Sequence, residues 1–232
     1  MTWNIGEIYW PWQGNQLKDE DVQAVIDALA DMDADVVLLQ ELAHAGQLAR
    51  LCAGVYDGAL PERCGYDRHV GLLVRRNLQP RFTEHLLSPT RRGVVEAKFS
   101  VGDVSVRALS LHFDVFAPAR RLAQAWAAAA LIGEAGRLTV AGGDFNYDPV
   151  ASARLRRTSD LEAERALLGK LTDVAPDVGP TLVGLLRVDR MFAGGTALRS
   201  SRAEVGAHRL PLGDHAPIVC DLLLHPSGES AG

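Results

Sequence analysis

The sequence predicts an α/β protein in which polar loops follow buried strands. Short apolar runs, which are typical of strands, alternate along the chain with stretches whose apolar residues recur at helical spacing. Gly, Pro, Asn and Asp cluster between these segments, as turns require. The 232 residues, 47% of them hydrophobic and 23% charged, fit one large domain with a sizeable core. We expect this domain to span residues 1–225, followed by a disordered polar tail over residues 226–232.

The first half of the chain predicts two helices, three single strands and a hairpin. Apolar residues at helical spacing from Val22 to Met32 predict a helix that begins at Asp19, where acidic residues 19–21 suit the positive end of the helix dipole. The run 36–42 is apolar on both faces until Glu41, which is typical of a buried strand. The other predicted elements are strand 1–5, short helix 47–53, irregular loop 59–67, strand 70–75 and the hairpin 93–99 with 104–111.

The second half predicts a long helix, a buried strand and a set of shorter elements. Pro118 suits the first turn of a helix over residues 119–135, and Gly136 suits its end. The apolar run 138–141 predicts a buried strand that ends in a glycine-containing turn. The remaining predicted elements are one or two helices over 151–169, a surface loop over 171–184, and strands 187–193, 199–205 and 217–224.

Net charge and cysteine content limit the classes of function and the cellular compartments that fit this sequence. A net charge of -5 argues against a nucleic-acid binder that works through bulk positive charge, although clustered arginines could still form a local basic patch. Three cysteines without a Cys-x-x-Cys pair indicate neither a disulfide framework nor a zinc knuckle, so a reducing compartment is the simplest location. No apolar run reaches the roughly 18 residues of a membrane span, and no signal peptide is recognisable. We therefore expect a cytoplasmic protein, with a monomer favoured.

Polar residues with metal-binding or catalytic chemistry gather where the predicted strands end. They are Asn4, Glu41, His112, Asp144, Asn146, Asp189, Asp214 and His215. Strand ends can be collected along one edge of a sheet, where rigid strands hold the loops that carry chemistry. Carboxylates and an amide without cysteine ligands suit a hard cation such as Mg²⁺ or Mn²⁺.

A phosphate and an attacking water would suit these residue types. The phosphate oxygens are negative, so a cation and hydrogen-bond donors must neutralise the charge that grows toward the leaving group. A carboxylate must activate water on the opposite side of the phosphorus. Asp144 and Asn146 are two residues apart, so on an extended backbone both side chains leave the same face. A histidine paired with an aspartate keeps one tautomer or a positive charge.

Each of these residues alone also has a purely structural explanation. Glu41 is the hardest to explain in this way, because a carboxylate that ends an apolar run is costly unless it is paired, hydrated or metal-bound. The structural alternatives for the others are an Asx turn at 144–146, a satisfied histidine at 112, a local ion pair at 189–190 and a simple turn at 214–215.

Six motifs follow one another in an informative order. They are Thr-Trp-Asn-Ile from residue 2, Leu-Leu-Gln-Glu to Glu41, Ser-Leu-His to His112, Gly-Gly-Asp-Phe-Asn over 142–146, Val-Asp-Arg-Met-Phe around Asp189 and Gly-Asp-His-Ala-Pro over 213–217. Each is weak alone, but together they resemble the endonuclease/exonuclease/phosphatase superfamily from residue 2 to about residue 223. The resemblance implies a four-layer α/β/β/α sandwich, in which two mixed β-sheets pack face to face with helices outside. It also implies a metal-dependent phosphoesterase site at one edge of the sheets.

The resemblance implies a metal-binding set within the site. Glu41 resembles the main Mg²⁺ (or Mn²⁺) ligand, and Asn4 lies beside it in the family pattern. Asp214 resembles an auxiliary metal ligand.

The remaining site residues resemble groups that act on water and phosphate. Asp144 resembles the residue that orients or deprotonates the attacking water, and Asn146 resembles a phosphate or water positioner. His215 resembles the imidazole that contacts the scissile phosphate, held by Asp189. His112 resembles a second phosphate-contacting histidine.

The motifs indicate the superfamily more clearly than they indicate the branch within it. His112 stands where base-excision endonucleases of the exonuclease III type usually carry tyrosine, which makes that branch less favoured. The motif at Asp189 and the Gly-Asp-His loop are similar to tyrosyl-DNA phosphodiesterases, which cleave 5′-phosphotyrosyl links. Arg190, Trp10 and Trp12 are candidate substrate contacts, with packing at the core edge the favoured alternative for the two tryptophans.

Three functions remain open at this point, and the sequence favours them in the following order. We expect a phosphodiesterase or nuclease acting on DNA, RNA or a phosphotyrosyl-DNA-like diester, with a phosphatase of a small-molecule, inositol or lipid phosphate as the alternative. A catalytically silent binding module ranks lower, because Glu41, Asp144, Asp214 and His215 are all present. A calcineurin-like metallophosphatase would need a Gly-Asn-His motif, which the sequence lacks.

Overall fold

The computed structural model describes residues 1–6, 17–61, 69–208, 210 and 213–225. The strands in these ranges are β1 Thr2–Asn4, β2 Val36–Leu42, β3 Tyr56–Ala59, β4 His69–Arg75, β5 Arg81–Leu87, β6 Arg92–Val101, β7 Val104–His112, β8 Leu138–Asp144, β9 Thr172–Asp173, β10 Asp189–Gly194, β11 Leu198–Val205 and β12 Ile218–Leu224. The α-helices are α1 Val22–Met32, α2 Ala45–Leu51, α3 Pro118–Ile132, α4 Pro149–Arg154 and α5 Thr158–Leu168. The aromatic loop with Trp10 and Trp12 and the tail 226–232 lie outside the described residues.

The strands form two mixed six-stranded sheets. The first sheet has the order β11-β12-β1-β2-β4-β3, and the second has the order β5-β6-β7-β8-β10-β9. Strand β1 pairs with β2 in parallel, as β7 does with β8, and the neighbouring pairs are antiparallel. Because parallel neighbours run in the same direction, their carboxyl ends meet at one edge of each sheet.

Alternate residues of the central strands pack on opposite faces and so define four layers. Leu38 of β2 lies in the core between the sheets, whereas Val37 and Leu39 pack in the cluster that α1 and α2 cover. On β8, Val140 faces the core between the sheets and Ala141 packs in the cluster beneath α3 and α5. Burial of each large apolar side chain contributes about 1.5–3 kcal/mol. The expected α/β/β/α sandwich is confirmed.

Most predicted elements are present, with differences at their ends. Helix α3 ends at Ile132, because Gly133 takes a positive φ of 60° and its N–H closes the last turn. The acidic residues 19–21 precede α1, which begins at Val22. Strand β5 was not expected, since its largely exposed and polar residues lack the apolar pattern of a buried strand. Within the described residues, no helix is both long and apolar enough to span a membrane.

Strand register brings three of the predicted site residues side by side. In the second sheet, Asp144 at the end of β8 is level with His112 of β7 on one side and Asp189 of β10 on the other. In the first sheet, β2 carries a bulge between Leu39 and Leu42, and the bulge contains Glu41. The two sheets therefore present polar residues at the same edge of the sandwich.

Candidate active site

Asp144 is the centre of the site because its carboxylate contacts side chains from both sheets. Its Oδ2 accepts a hydrogen bond from Asn4 Nδ2 at 3.0 Å, across the sandwich. The same oxygen lies 3.7 Å from Nε2 of His112 and 3.8 Å from Nε2 of His215. Its Oδ1 accepts the backbone N–H of Asn146 at 2.8 Å. With 2% of its surface exposed, Asp144 is a buried carboxylate with two imidazoles beside it.

The glycines before Asp144 are required by close packing around β8. At Gly143, where φ is 153°, a Cβ atom would lie 1.8 Å from the carbonyl oxygen of Leu111. At Gly142, a Cβ atom would lie 2.8 Å from Leu38 Cδ1 in the opposite sheet. Only glycine lets β8 approach both neighbours, so the pair sets how far Asp144 reaches toward the first sheet.

Glu41 is held in the site by an unusual backbone conformation. Its φ is 67°, in the left-handed region that residues with a Cβ rarely adopt. This conformation occurs in the bulge of β2, and it places the Glu41 carboxylate Oε1 3.8 Å from Nε2 of His112. The side chain is 9% exposed. Strain of this kind persists where the surrounding structure fixes a residue for a task, which fits a ligand or catalytic carboxylate.

His215 and Asp189 form a buried hydrogen-bonded pair. Nδ1 of His215 donates to Oδ2 of Asp189 at 2.7 Å, and Trp3 Nε1 donates to the His215 carbonyl at 3.3 Å. Burial alone would lower the pKa of His215, but the Asp189 carboxylate outweighs it and raises the pKa to about 10. His215 is therefore a cation at neutral pH, with its Nε2–H free to face the Asp144 side of the site.

Burial raises the pKa of Asp144, whereas burial alone would lower the pKa of His215. Loss of solvent raises the pKa of Asp144 to about 7, and the nearby Asp189 charge adds to this effect. The charge of His215 and the hydrogen bonds from Asn146 and Asn4 oppose the increase. A carboxylate with a pKa near neutrality can both accept and release a proton at physiological pH.

Asn146 and Asp214 lie at the solvent side of this cluster. Nδ2 of Asn146 donates to the Phe113 carbonyl at 3.0 Å, and its backbone has a φ of 54°. That hydrogen bond uses the amide nitrogen and leaves the amide oxygen as the group that can orient a ligand. Oδ1 of Asp214 lies 3.7 Å from Nε2 of His215, and its side chain is partly exposed.

Arg190 is placed away from the site, which contradicts the expected substrate contact. Successive residues of a strand point to opposite faces, so Arg190 faces away from Asp189. Its guanidinium binds both oxygens of Glu164, at 2.8 and 2.6 Å, and Oδ2 of Asp173 at 2.7 Å. It also lies over the ring of Phe192, and only 1% of its surface is exposed. Trp10 and Trp12 fall outside the described residues.

The donor set fits a hard divalent cation. Ligand atoms of Asp144, Asp189 and His215 all lie within 4.8 Å of one another. Of these, Asp189 and His215 already bind each other, so we interpret them as a histidine–aspartate pair and not as the primary ligands. Glu41 and Asp144 remain as buried carboxylates that both approach Nε2 of His112, and buried like charges need a cation or protons to offset them.

Several residues that support the site have no recognisable signal in a single sequence. Oγ1 of Thr181 accepts the backbone N–H of Asp189 at 3.1 Å, although Thr181 lies in the segment predicted to be a surface loop. Nε of Arg92 donates to the His112 carbonyl at 2.7 Å. These contacts depend on long-range packing, so spacing along the chain could not indicate them.

The four-layer sandwich, with carboxylates and histidines at one edge, is a DNase I-like phosphoesterase-type fold. The sequence matches the pattern of the Endonuclease/Exonuclease/phosphatase family over residues 1–215, and the chain belongs to this family. No protein of curated function matches the sequence significantly.

Solved structures share this fold over nearly the whole chain. A functionally unknown conserved protein from Enterococcus faecalis V583 has a TM-score of 0.76 at 17% identity, covering 97% of this chain and 98% of the other. The endonuclease/exonuclease/phosphatase from Bacteroides vulgatus has a TM-score of 0.70 at 22% identity, with 97% of each chain covered. Truncated TDP2 from Caenorhabditis elegans has a TM-score of 0.69 at 18% identity, covering 88% of this chain and 90% of the other. These similarities establish a shared fold.

Proposed function

We propose that the protein is a metal-dependent phosphoesterase whose active site is the Asp144 cluster. The observation that carries this proposal is the position of the Asp144 carboxylate, 3.7 Å from His112 and 3.8 Å from His215 at one buried sheet edge. The His215–Asp189 pair and the neighbouring Glu41 complete a set of groups that can handle a phosphate. Membership of the Endonuclease/Exonuclease/phosphatase family supports the same class of reaction.

Glu41 is our candidate for the principal ligand of Mg²⁺ or Mn²⁺, with Asn4 and Asp214 as accessory ligands. The oxygen of Asn4 accepts the N–H of Gly6 at 2.9 Å, which fixes the orientation of its amide. A bound divalent cation would offset the negative charge of the phosphate and of the leaving oxygen. The buried carboxylates of Glu41 and Asp144 supply the negative charge that such a cation needs.

Asp144 is positioned to accept the proton of an attacking water. As the water oxygen forms its bond to phosphorus, the bond to the leaving oxygen breaks, and one water proton passes to the Asp144 carboxylate. The amide oxygen of Asn146 helps to orient the water. General base assistance of this kind is typically worth about 10²–10⁴-fold in rate.

The two histidines are placed to stabilise the phosphate. His215 remains a cation through its hydrogen bond to Asp189, so its Nε2–H can donate to a non-bridging oxygen. His112 offers a second imidazole nitrogen on the other side of Asp144. Charged donors aimed at the oxygens favour the transition state, where negative charge is greatest.

A phosphodiester in nucleic acid is the substrate class we propose first, including a 5′-phosphotyrosyl link. The motif around Asp189 and the Gly-Asp-His loop support this choice, as does structural similarity to the TDP2 protein of Caenorhabditis elegans. An inositol, lipid or small-molecule phosphatase is the alternative.

A substrate panel tests both the reaction and its substrate class. Bis(4-nitrophenyl) phosphate, single-stranded DNA, a 5′-phosphotyrosyl oligonucleotide and an inositol phosphate are each incubated with Mg²⁺ or with EDTA. We expect turnover of the diesters with Mg²⁺, none with EDTA, and none by the Asp144→Ala variant. Turnover that persists in EDTA or in the Asp144→Ala variant would contradict the proposal. Faster turnover of the inositol phosphate, a monoester, than of the diesters would favour the alternative function as a phosphatase.

A further inference from the structure

The loop between β7 and α3, residues 113–117, displays an aromatic side chain to solvent. Phe116 is 88% exposed, and Val115 beside it is 53% exposed. Phe116 follows His112 by only four residues, so it lies on a loop that begins in the active site. An exposed ring alone is common on protein surfaces, so its position beside the active site and the contacts of its loop are the features that bear on binding.

The backbone of this β7–α3 loop is fixed by hydrogen bonds around Asp114. Oδ1 of Asp114 accepts the N–H groups of Phe116 at 3.0 Å and of Ala117 at 2.8 Å. The backbone N–H of Asp114 donates to Oε1 of Gln124 at 2.7 Å. Nη1 of Arg121 donates to the carbonyls of Asp114 and Val115 at 3.0 and 3.2 Å. The ring is therefore presented by an ordered loop, which lowers the entropic cost of using it in binding.

The same loop is bonded directly to the catalytic elements. The N–H of Phe113 donates to the Asp144 carbonyl at 2.9 Å, and Asn146 Nδ2 donates to the Phe113 carbonyl at 3.0 Å. Phe113 itself is buried against Phe145, with ring centroids 4.9 Å apart. The loop that carries Phe116 is thus anchored to the segment that carries Asp144 and Asn146.

One exposed arginine contacts this loop, and a second follows β5 next to a residue that is bonded to β7. Arg120, in the first turn of α3, has a side chain that is 63% exposed and a guanidinium 3.5 Å from Asp114. Arg91 is exposed in the turn before β6, next to Arg92, whose Nε donates to the His112 carbonyl. Guanidinium groups bind phosphate oxygens through several donors at once. The loop therefore combines an exposed aromatic ring with one guanidinium beside it, and Arg91 is a second candidate phosphate contact on the turn before β6.

We propose that Phe116 stacks on the base of an unpaired nucleotide next to the phosphate in the active site, while Arg120 and Arg91 contact neighbouring phosphates. This inference rests on the proposed function and specifies its substrate as single-stranded nucleic acid. One ring with guanidinium groups beside it matches a base and its backbone, as in sequence-independent single-strand binding. The net charge of -5 gives no general attraction to polyanions, so recognition depends on local contacts of this kind.

A lipid surface is the competing partner for an exposed ring. On the other side of the site, next to Asp214, the backbone N–H of Val183 donates to the Asp214 carbonyl, and Leu185 is 76% exposed. Aliphatic side chains suit acyl chains, whereas stacking on a base requires an aromatic face. Substitution of Phe116 by leucine distinguishes a lipid partner from a nucleic-acid partner, because leucine keeps the apolar surface and lacks the aromatic face.

Binding is measured by fluorescence anisotropy with a labelled single-stranded oligonucleotide, in an Asp144→Ala background with Mg²⁺, so that turnover plays no part. We expect Phe116→Ala and Phe116→Leu to weaken binding by about 5-fold to 100-fold, and Phe116→Trp to restore it. Trp126→Ala, which removes another exposed ring on the outer side of α3, is the matched control and should bind like its parent. Arg120→Gln should weaken binding and reduce its salt dependence.

Three results would overturn the inference. One is equal affinity of Phe116→Ala and its parent for the oligonucleotide, and another is full affinity of Phe116→Leu. The third is tighter binding to phosphatidylcholine or phosphatidylserine vesicles than to the oligonucleotide, lost on Leu185→Ser. The binding assay does not depend on catalysis. If the substrate panel shows no turnover but binding still depends on Phe116, the proposed reaction is rejected and the proposed contact of Phe116 with the oligonucleotide is retained. In the active protein, Phe116→Ala should lower kcat/KM for the oligonucleotide more than for bis(4-nitrophenyl) phosphate.

Discussion

At the scale of single residues, the site depends on how two buried ionisable groups share charge. Asp144 is buried enough to raise its pKa to about 7, whereas His215 keeps its proton because Asp189 raises its pKa to about 10. The resulting arrangement places a carboxylate that can accept a proton beside an imidazole whose charged form is favoured by Asp189. Burial raises the pKa of Asp144. The Asp189 carboxylate, which lies 2.7 Å from His215 in a hydrogen bond, raises the pKa of His215.

Asp144→Asn should remove the proton acceptor while it keeps the shape of the side chain. We expect kcat to fall by about 10²–10⁴-fold, the typical contribution of a general base. The measurement is Mg²⁺-dependent hydrolysis of bis(4-nitrophenyl) phosphate. Asp103→Asn, in the exposed turn between β6 and β7, is the control and should keep full activity. A loss of less than about 3-fold in Asp144→Asn would contradict the role given to Asp144.

The His215–Asp189 pair predicts how stability changes with pH when metal is absent. The pKa of His215 is raised from 6.5 to about 10 in the folded protein, so its contribution is fully present below 6.5 and is lost as the pH rises toward 10. We therefore expect the urea midpoint of the wild type in EDTA to fall over this window. Asp189→Asn removes the charge that raises the pKa and should flatten the profile. Parallel profiles for the two proteins would show that the pair does not titrate in this way.

At the scale of elements, β8 is the part of the fold that fixes the site geometry. It lies between β7 and β10, and its register with them aligns His112, Asp144 and Asp189. Its glycine pair permits the close approach of the strands that a side chain would prevent. The motif Gly-Gly-Asp thus has a packing reason as well as a chemical one.

Gly143→Ala tests this packing reason directly. A Cβ atom there would meet the Leu111 carbonyl oxygen at 1.8 Å, and the φ of 153° is unfavourable for alanine. We expect the free energy of unfolding to fall by more than about 2 kcal/mol in denaturant titration. Gly54→Ala is the matched control, because a Cβ there has no atom within 4 Å. Equal stabilities for the two variants would mean that β8 can move away from β7 at little cost.

A second element-scale feature is the charged network behind β10. Arg190 joins Glu164 of α5 to Asp173 of β9, and Tyr147 donates to the same Glu164 at 2.8 Å. Burial and these two carboxylates hold the guanidinium in a fixed place, so the network links the strand that carries Asp189 to the loop after Asn146. The guanidinium of Arg190 is thus used in contacts between elements and is buried away from the Asp144 cluster.

Arg190→Met should destabilise the fold without removing any group from the site. Loss of one partner from a buried ion pair costs about 3–5 kcal/mol, because the remaining carboxylates keep their desolvation penalty. Thermal and urea unfolding measure the effect. Arg199→Met, on the exposed face of β11, provides the control and should change stability by less than about 0.5 kcal/mol. A similar small change in Arg190→Met would show that the network contributes little.

At the scale of the whole molecule, the sequence predicted the layers and the edge of the site better than the contacts within them. Strands β2 and β8 were predictable, because short apolar runs bounded by turn residues are typical of buried strands and are too short for a helix. Convergence of Glu41, His112, Asp144 and His215 followed from motif order. Arg190 was expected to be a candidate substrate contact, but its guanidinium is buried against Glu164 and Asp173. A motif gives the position of a residue along a strand and does not reveal its partners on another element. Thr181 and Arg92 could not be predicted, because their contacts exist only after the sheets are assembled.

At this scale, the central proposal is that the Asp144 edge uses a divalent cation to hydrolyse phosphate esters. The most direct measurement is the initial rate of bis(4-nitrophenyl) phosphate hydrolysis as Mg²⁺ or Mn²⁺ is titrated into EDTA-stripped protein, for the wild type and for Glu41→Gln. We predict a saturable rise in the wild-type rate and a curve shifted to much higher metal concentration, or abolished, in Glu41→Gln. A rate that is independent of metal, or identical curves for the two proteins, would contradict the account.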